Sequence, residues 1–200
     1  MEWTQILRNK KQCATWKDET IDKTIIDSIL VEVHEHCNSK QNRVPIQITA
    51  LDWSHPDKRN FIFNYTQDLD HPSKHQNTQV LAPWILVFSI RRIKELENNV
   101  LMENGNLEIG LAAQMAVLSA VNKGLDIGFC KCLQSEKRKQ WENYLGILSP
   151  DLIIGLGHYE NKTHQRNHHN GKDILAWIST IPGEEHHEKP PMEEYIKYYV

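Results

Sequence analysis

Asn106 to Gly128, NLEIGLAAQMAVLSAVNKGLDIG, is the stretch whose reading decides the fold. From Leu107 to Val121 nearly every position is apolar or small; Glu108, Gln114 and Ser119 are the exceptions. At helical period Ile109, Ala112, Ala113, Ala116, Val117, Ala120 and Val121 form one wide stripe, and Leu111, Met115 and Leu118 fill most of the opposite side. A helix that is apolar nearly all round belongs in a core or an interface. Asn106 is the expected N-cap, with Glu108 beside the positive helix end, Lys123 in the last turn and Gly124 just beyond it. Such a helix spans on the order of 25 Å, the width of a small domain. The small residues at 110, 112, 113 and 116 let another backbone come close, so the rest of the chain is expected to wrap this rod.

The other segments supply the wrapping. Asp22 or Thr20 caps a helix through Ile25, Ile26, Ile29, Leu30 and Val33, which ends in the polar stretch 38–43. VPIQITALD (44–52) alternates as a strand does, and FIFNY (61–65) reads as a second strand or a partly buried loop. LAPWILVFSI (81–90) is continuously apolar, the pattern of a strand covered on both faces. The charged stretch 91–103 reads as helical, GFCKCL (128–133) as a strand, and SEKRKQWENYLGI (135–147) as an amphipathic helix with Trp141, Tyr144, Leu145 and Leu148 inward. DLIIGLGHY (151–159) is another buried strand. Residues 2–12 read as a short helix, 66–79 and 161–171 as polar loops, and the terminal EEYIKYYV as an edge strand. Helices and strands alternate within one α+β domain spanning 1–200.

Composition excludes several classes. A net charge of −3 gives no bulk attraction to nucleic acid. No apolar run reaches membrane-spanning length, because Glu108, Gln114, Asn122 and Lys123 interrupt the longest one. The first residues show no apolar stretch ahead of a cleavage site, and four cysteines are too few for a disulfide scaffold. A cytoplasmic, reduced chain is the expectation. The histidines gather in polar loops with no ligand spacing on a regular element, so no metal site is read.

Four blocks fall in an order that resembles the nitroreductase family of FMN-dependent dimeric flavoproteins. KKQCATWKDETID (10–22) looks like a diverged form of the family's Arg-rich opening signature. SKQNRVPIQI (39–48) is similar to its S-x-x-N-x-Q-P block, keeping Ser39, Asn42 and Pro45. LAPWILVF (81–88) matches its A-P-hydrophobic strand. IGLAAQMAVLSAVNKGLDIGF (109–129), followed by LGILSPDLIIGLGH (145–158), matches its long helix and later G-x-G strand. The resemblance implies a nitroreductase-like sandwich, a central mixed sheet flanked by helices. It also implies an interlocked homodimer with the apolar helix at the interface, residues 182–200 reaching the partner, and FMN held in the seam.

The resemblance further implies the site residues. A phosphate carries about two negative charges and wants cations or N–H donors. Lys10, Lys11 and Gln12, with Arg8 nearby, stand at the phosphate motif, and Lys189 at the C-terminal basic position. Ala14 replaces a customary Arg. On the residues alone, Arg8, Lys10 and Lys11 read first as the solvated end of a helix, and it is the resemblance that turns them toward phosphate. Ser39 and Asn42 would hydrogen-bond the flavin, or else make a turn. Asn77, beside Gln76, falls near the amide that faces the pyrimidine edge. Cys130, Lys131 and Cys132 follow Phe129 along the flavin, where a backbone N–H approaches N5; the two thiols read otherwise as small core residues. The implied activity is reduction of FMN by NADH or NADPH, then of a small nitroaromatic or quinone, with no catalytic side chain named. The alternative is a non-catalytic dimer of the same fold that binds flavin weakly.

Overall fold

A computed structural model describes residues 1–13, 15–39, 44–53, 78–91, 99–131, 135–160 and 166–167. Its elements are α1 (Trp3–Asn9), β1 (Lys11–Gln12), α2 (Lys23–His36), β2 (Ile46–Asp52), β3 (Trp84–Ile90), α3 (Asn99–Asn122), β4 (Asp126–Cys130), α4 (Ser135–Leu145), β5 (Leu148–Gly157) and β6 (Arg166–Asn167), with a 3-10 turn at Thr78–Leu81. The strands form one mixed sheet in the order β2-β3-β5-β4-β1-β6. β1 and β4 run parallel, and the other neighbours pair antiparallel.

All seven residues of β3 are buried, as its unbroken apolar run requires. Alternation sends Trp84, Leu86, Phe88 and Ile90 into a core shared with α2 and α3. Ile85 and Val87 point into a second core with Trp16, Trp53, Val80, Ala82 and Trp141. The sheet is therefore covered on both faces. The strand starts at Trp84 rather than Leu81 because the 3-10 turn and Pro83, which has no N–H to give a ladder, precede it.

The stripe read from α3 is the buried one: Ile109, Ala112, Ala113, Ala116, Val117, Ala120 and Val121 are all 3% exposed or less. Its C-terminus closes as a Schellman turn. Gly124 adopts φ +83°, its N–H reaches the Val121 carbonyl, and the Leu125 N–H reaches that of Ala120. The start differs from expectation. The helix begins at Asn99, so Asn106 is an exposed interior residue and no cap. Gly105 allows close packing: a Cβ there would lie 2.5 Å from Ile90 Cδ1. Glu108 accordingly sits mid-helix and is buried, 5% exposed.

α2 starts where expected, with the Asp22 carboxylate accepting the Thr24 N–H at 2.8 Å. A Lys123–Glu32 ion pair joins α2 to the end of α3. The Glu32 carboxyl is held below its ordinary range, chiefly by the Lys123 hydrogen bond. A folded pKa below the unfolded one gives stability that is complete above the unfolded value and is lost as pH falls through the lower, folded value. Lys123→Met should therefore cost about 0.5 kcal/mol at neutral pH, and its melting curve should converge on the parent's as pH drops below about 4.

Three further expectations are corrected. Tyr144 points to solvent at 60% exposed, while Trp141 is buried as expected. Leu148 opens β5 rather than facing inward from α4. Arg166–Asn167, read as loop, pairs antiparallel with β1. The segment 61–65, the tail 182–200, Asn42, Asn77, Cys132 and Lys189 lie outside the described residues.

Candidate functional site

The residues singled out from sequence fall into two groups. The first surrounds β1. Between β4 and β6, Gln12 lies opposite Ile127, and the Cys13 N–H reaches the Ile127 carbonyl at 2.8 Å. The Gln12 carboxamide then adds a rung of its own. Its Nε2 donates to the Phe129 carbonyl and its Oε1 accepts the Phe129 N–H, both at 2.8 Å. A primary amide has the donor–acceptor geometry of a peptide, so this side chain does the work of one more strand residue. Gln12 is 8% exposed, and the carboxamide expected beside a phosphate is engaged across the sheet by Phe129.

Gln12→Ala would leave the Phe129 N–H and C=O without this partner. The expected cost is about 2 kcal/mol for two hydrogen bonds, with faster hydrogen exchange at the Phe129 amide. Gln12→Glu should fare no better at neutral pH, because one carboxylate oxygen would face the Phe129 carbonyl.

Lys10, at the C-cap of α1, donates from Nζ to Gln114 Oε1 on α3 at 3.1 Å. The Met1 ammonium donates to Asn122 Oδ1 at 3.0 Å, so α1 runs antiparallel along the second half of α3. Arg8 is exposed in the last turn of α1. Of Lys11 only the backbone is described, paired to Asn167. Cys130 is 2% exposed in the second core, so its thiol is a packing group there. Lys131 is exposed, with Nζ 3.6 Å from Asp151 Oδ2. Gln114 was not singled out as a site residue. The signal for it was a lone amide in an apolar helix, on the one side that the core does not cover.

The second group lies just before β2. Ser39 Oγ accepts the Val44 N–H at 2.8 Å. Val44 is held at φ +44°, a conformation that β-branched residues rarely adopt. β2 and β1 are separated by β3, β5 and β4. Four inter-strand spacings of ~4.8 Å put the two groups roughly 19 Å apart across the sheet. Within one chain the structure does not bring Ser39 to Lys10.

One face of α3 remains open. Leu107 and Leu111 are 65% and 46% exposed, Gly110 has nothing within 4 Å of its Cβ direction, and Met115 and Leu118 are half-buried. Trp3 on the neighbouring α1 is 58% exposed. Among the described residues no group of three His, Cys, Asp or Glu could hold a metal ion, and no helix is long and apolar enough to cross a membrane.

No protein-family model and no curated protein sequence matches the chain. Solved structures do. Nitroreductase A from Vibrio parahaemolyticus matches with a TM-score of 0.65 and 20% identity, over 89% of this chain and 82% of that one. The NADPH:FMN oxidoreductase from Vibrio harveyi, complexed with NAD+, gives 0.64 and 17% identity over 88% and 83%. An FMN-dependent nitroreductase from Clostridium difficile gives 0.62 and 17% identity over 85% and 93%. The chain has the nitroreductase fold, and the α+β sandwich with a central mixed sheet is as the sequence resemblance implied.

Proposed function

We propose that this chain is an FMN-dependent oxidoreductase that works as a homodimer. The observation that carries the reading is the near-complete fold match to flavin oxidoreductases, covering most of both chains. The residues around β1 fit a phosphate in kind. Arg8 is an exposed guanidinium, and Lys10 brings an ammonium, whose Nζ donates to Gln114, to the same end of α1. With Gln12 engaged by Phe129 and Ala14 in place of an Arg, the donor set is thinner than a tight phosphate site wants. Arg8, Lys10 and the outlying Lys189 would hold the phosphate tail, and Ser39 and Asn42 the ring or its ribityl chain. Asn77 would face the pyrimidine edge, and the Cys130–Cys132 backbone would run beside the ring.

Bound FMN would accept a hydride from NADH or NADPH and pass electrons to a small electron-poor acceptor of nitroaromatic or quinone type. The protein's share is position, electrostatics and exclusion of water, and no side-chain acid or base is required of it. The roughly 19 Å between the two groups supports a site completed by a second copy. The exposed leucines of α3 support a contact along that helix, since a C2 interface repeats one apolar patch on both partners. The tail 182–200 would reach across to the partner.

The engagement of Gln12 favours one second reading, a non-catalytic dimer of this fold with weak flavin binding. Colour separates the two. The enzyme purifies yellow or takes up added FMN, bleaches under NADH or NADPH without oxygen, and recovers on adding a quinone. A colourless protein that leaves the fluorescence of added FMN unquenched overturns the enzymatic reading.

A further inference from the structure

The end of β4 is held on one edge by a side chain where a neighbouring strand has run out. β1 is two residues long, with Gln12 across from Ile127. Cys13 still lies against β4: its N–H reaches the Ile127 carbonyl, and its own carbonyl would stand 2.6 Å from a Cβ on Gly128. Alternate residues of a strand turn their N–H and C=O to the same edge, so the next pair on this edge after Ile127 belongs to Phe129. The Gln12 carboxamide takes both of those groups, each at 2.8 Å. On the opposite edge β5 pairs with the same stretch, Ile154 beside Phe129 and Ile153 beside Cys130. Phe129 is therefore clamped from both sides. By the same alternation Lys131, one residue past β4, is the next whose main-chain groups face the Gln12 edge.

We propose that Gln12 is a positioning residue of the flavin site, acting on the ring through the main chain of 129–131 and not on the phosphate. The proposal rests on the FMN reading above, which sets that stretch beside the ring. Three observations separate the two roles. Gln12 is 8% exposed, so little of it is open to a ligand. Its Nε2 and Oε1 both point at Phe129. The cations of the same segment serve a different neighbour: Lys10, at the C-cap of α1, bonds Gln114 on α3, while Gln12 bonds β4. With Phe129 clamped, only the torsions of the next two residues lie between fixed main chain and the Lys131 N–H. That precision matters, because a misplacement of about 1 Å beside reacting groups costs roughly 100-fold in rate. Alanine at position 12 removes the clamp. Asparagine keeps the amide but falls one methylene short of both Phe129 groups.

The test uses the full chain and compares FMN with riboflavin, which has the same ring and ribityl chain without the phosphate. Binding is read from quenching of flavin fluorescence, and the surroundings of the ring from its visible absorption band. Gln12→Asn and Gln12→Ala should weaken FMN and riboflavin by the same factor, roughly tenfold, and shift the band of the bound ring. Lys10→Met should weaken FMN and leave riboflavin at its parental affinity. With no flavin added, amide exchange at Phe129 should quicken in both Gln12 variants while Leu86 in β3 stays protected, which shows the fold intact. A loss confined to FMN overturns the proposal and returns Gln12 to the phosphate. So does a parental absorption band in a variant whose Phe129 amide exchanges faster. A parent chain that binds neither flavin overturns the FMN reading itself, and is told apart because the proposal alone fails only where the parent binds both.

Discussion

Gly155→Ala is expected to destabilise the fold by about 3 kcal/mol, the upper end of what overpacking costs. A Cβ at Gly155 would stand 2.1 Å from the Gln79 carbonyl oxygen and 2.8 Å from Ala82 Cβ. Both are fixed to main chain, so no side-chain rotation relieves the clash. The strap 78–83 would have to lift off β5, uncovering Val80 and Ala82, which are fully buried. Trp16 would move as well, since its Cζ2 lies 3.1 Å from the same point. Urea unfolding followed by tryptophan fluorescence measures the loss. A midpoint close to the parent's would mean the strap does not lie where it is described.

Leu111→Arg is expected to abolish self-association and, with it, flavin retention. Leu111 is 46% exposed on the open face of α3, so a charge there costs the isolated chain little. In a two-fold interface the substitution appears twice and buries two like charges, a loss of about 4 kcal/mol or more. A dimer at nanomolar strength would fall to micromolar or weaker. Far-ultraviolet circular dichroism should stay parental while sedimentation shows a monomer. A variant that remains dimeric would remove α3 from the interface.

Much of this architecture was legible because it rests on periodicity. The α3 stripe, the doubly buried β3 and the Gly124 cap are each written in a few residues whose spacing or backbone freedom allows one reading. The start of α3 was not. Gly105–Asn106 looks like a helix boundary locally, and only the approach of Ile90 from the sheet shows that the glycine serves packing. Tyr144 misled for a similar reason: α4 meets the sheet over a narrower face than its aromatics suggest, with Trp141 buried in the second core and Leu145 packed against it. At the site, Gln12 was legible as a polar residue beside a basic cluster, and its bond to Phe129 was not. Whether an amide binds a ligand or splints a neighbouring strand depends on what lies across the sheet, and Phe129 is 117 residues away in sequence. Glu108 read as a helix-end charge because its burial depends on α2 and β2 closing over it.

The proposal that two copies complete one flavin site rests on Ser39 and Lys10 lying beside β2 and β1, which three strands of a single sheet separate. Sedimentation velocity of the FMN-loaded protein, recorded together in the protein and flavin absorbance bands, tests it most directly. The account predicts that both bands move as one boundary at the mass of a dimer, with one flavin per chain. Flavin travelling with a monomer, or a dimer sedimenting away from free FMN, would contradict it.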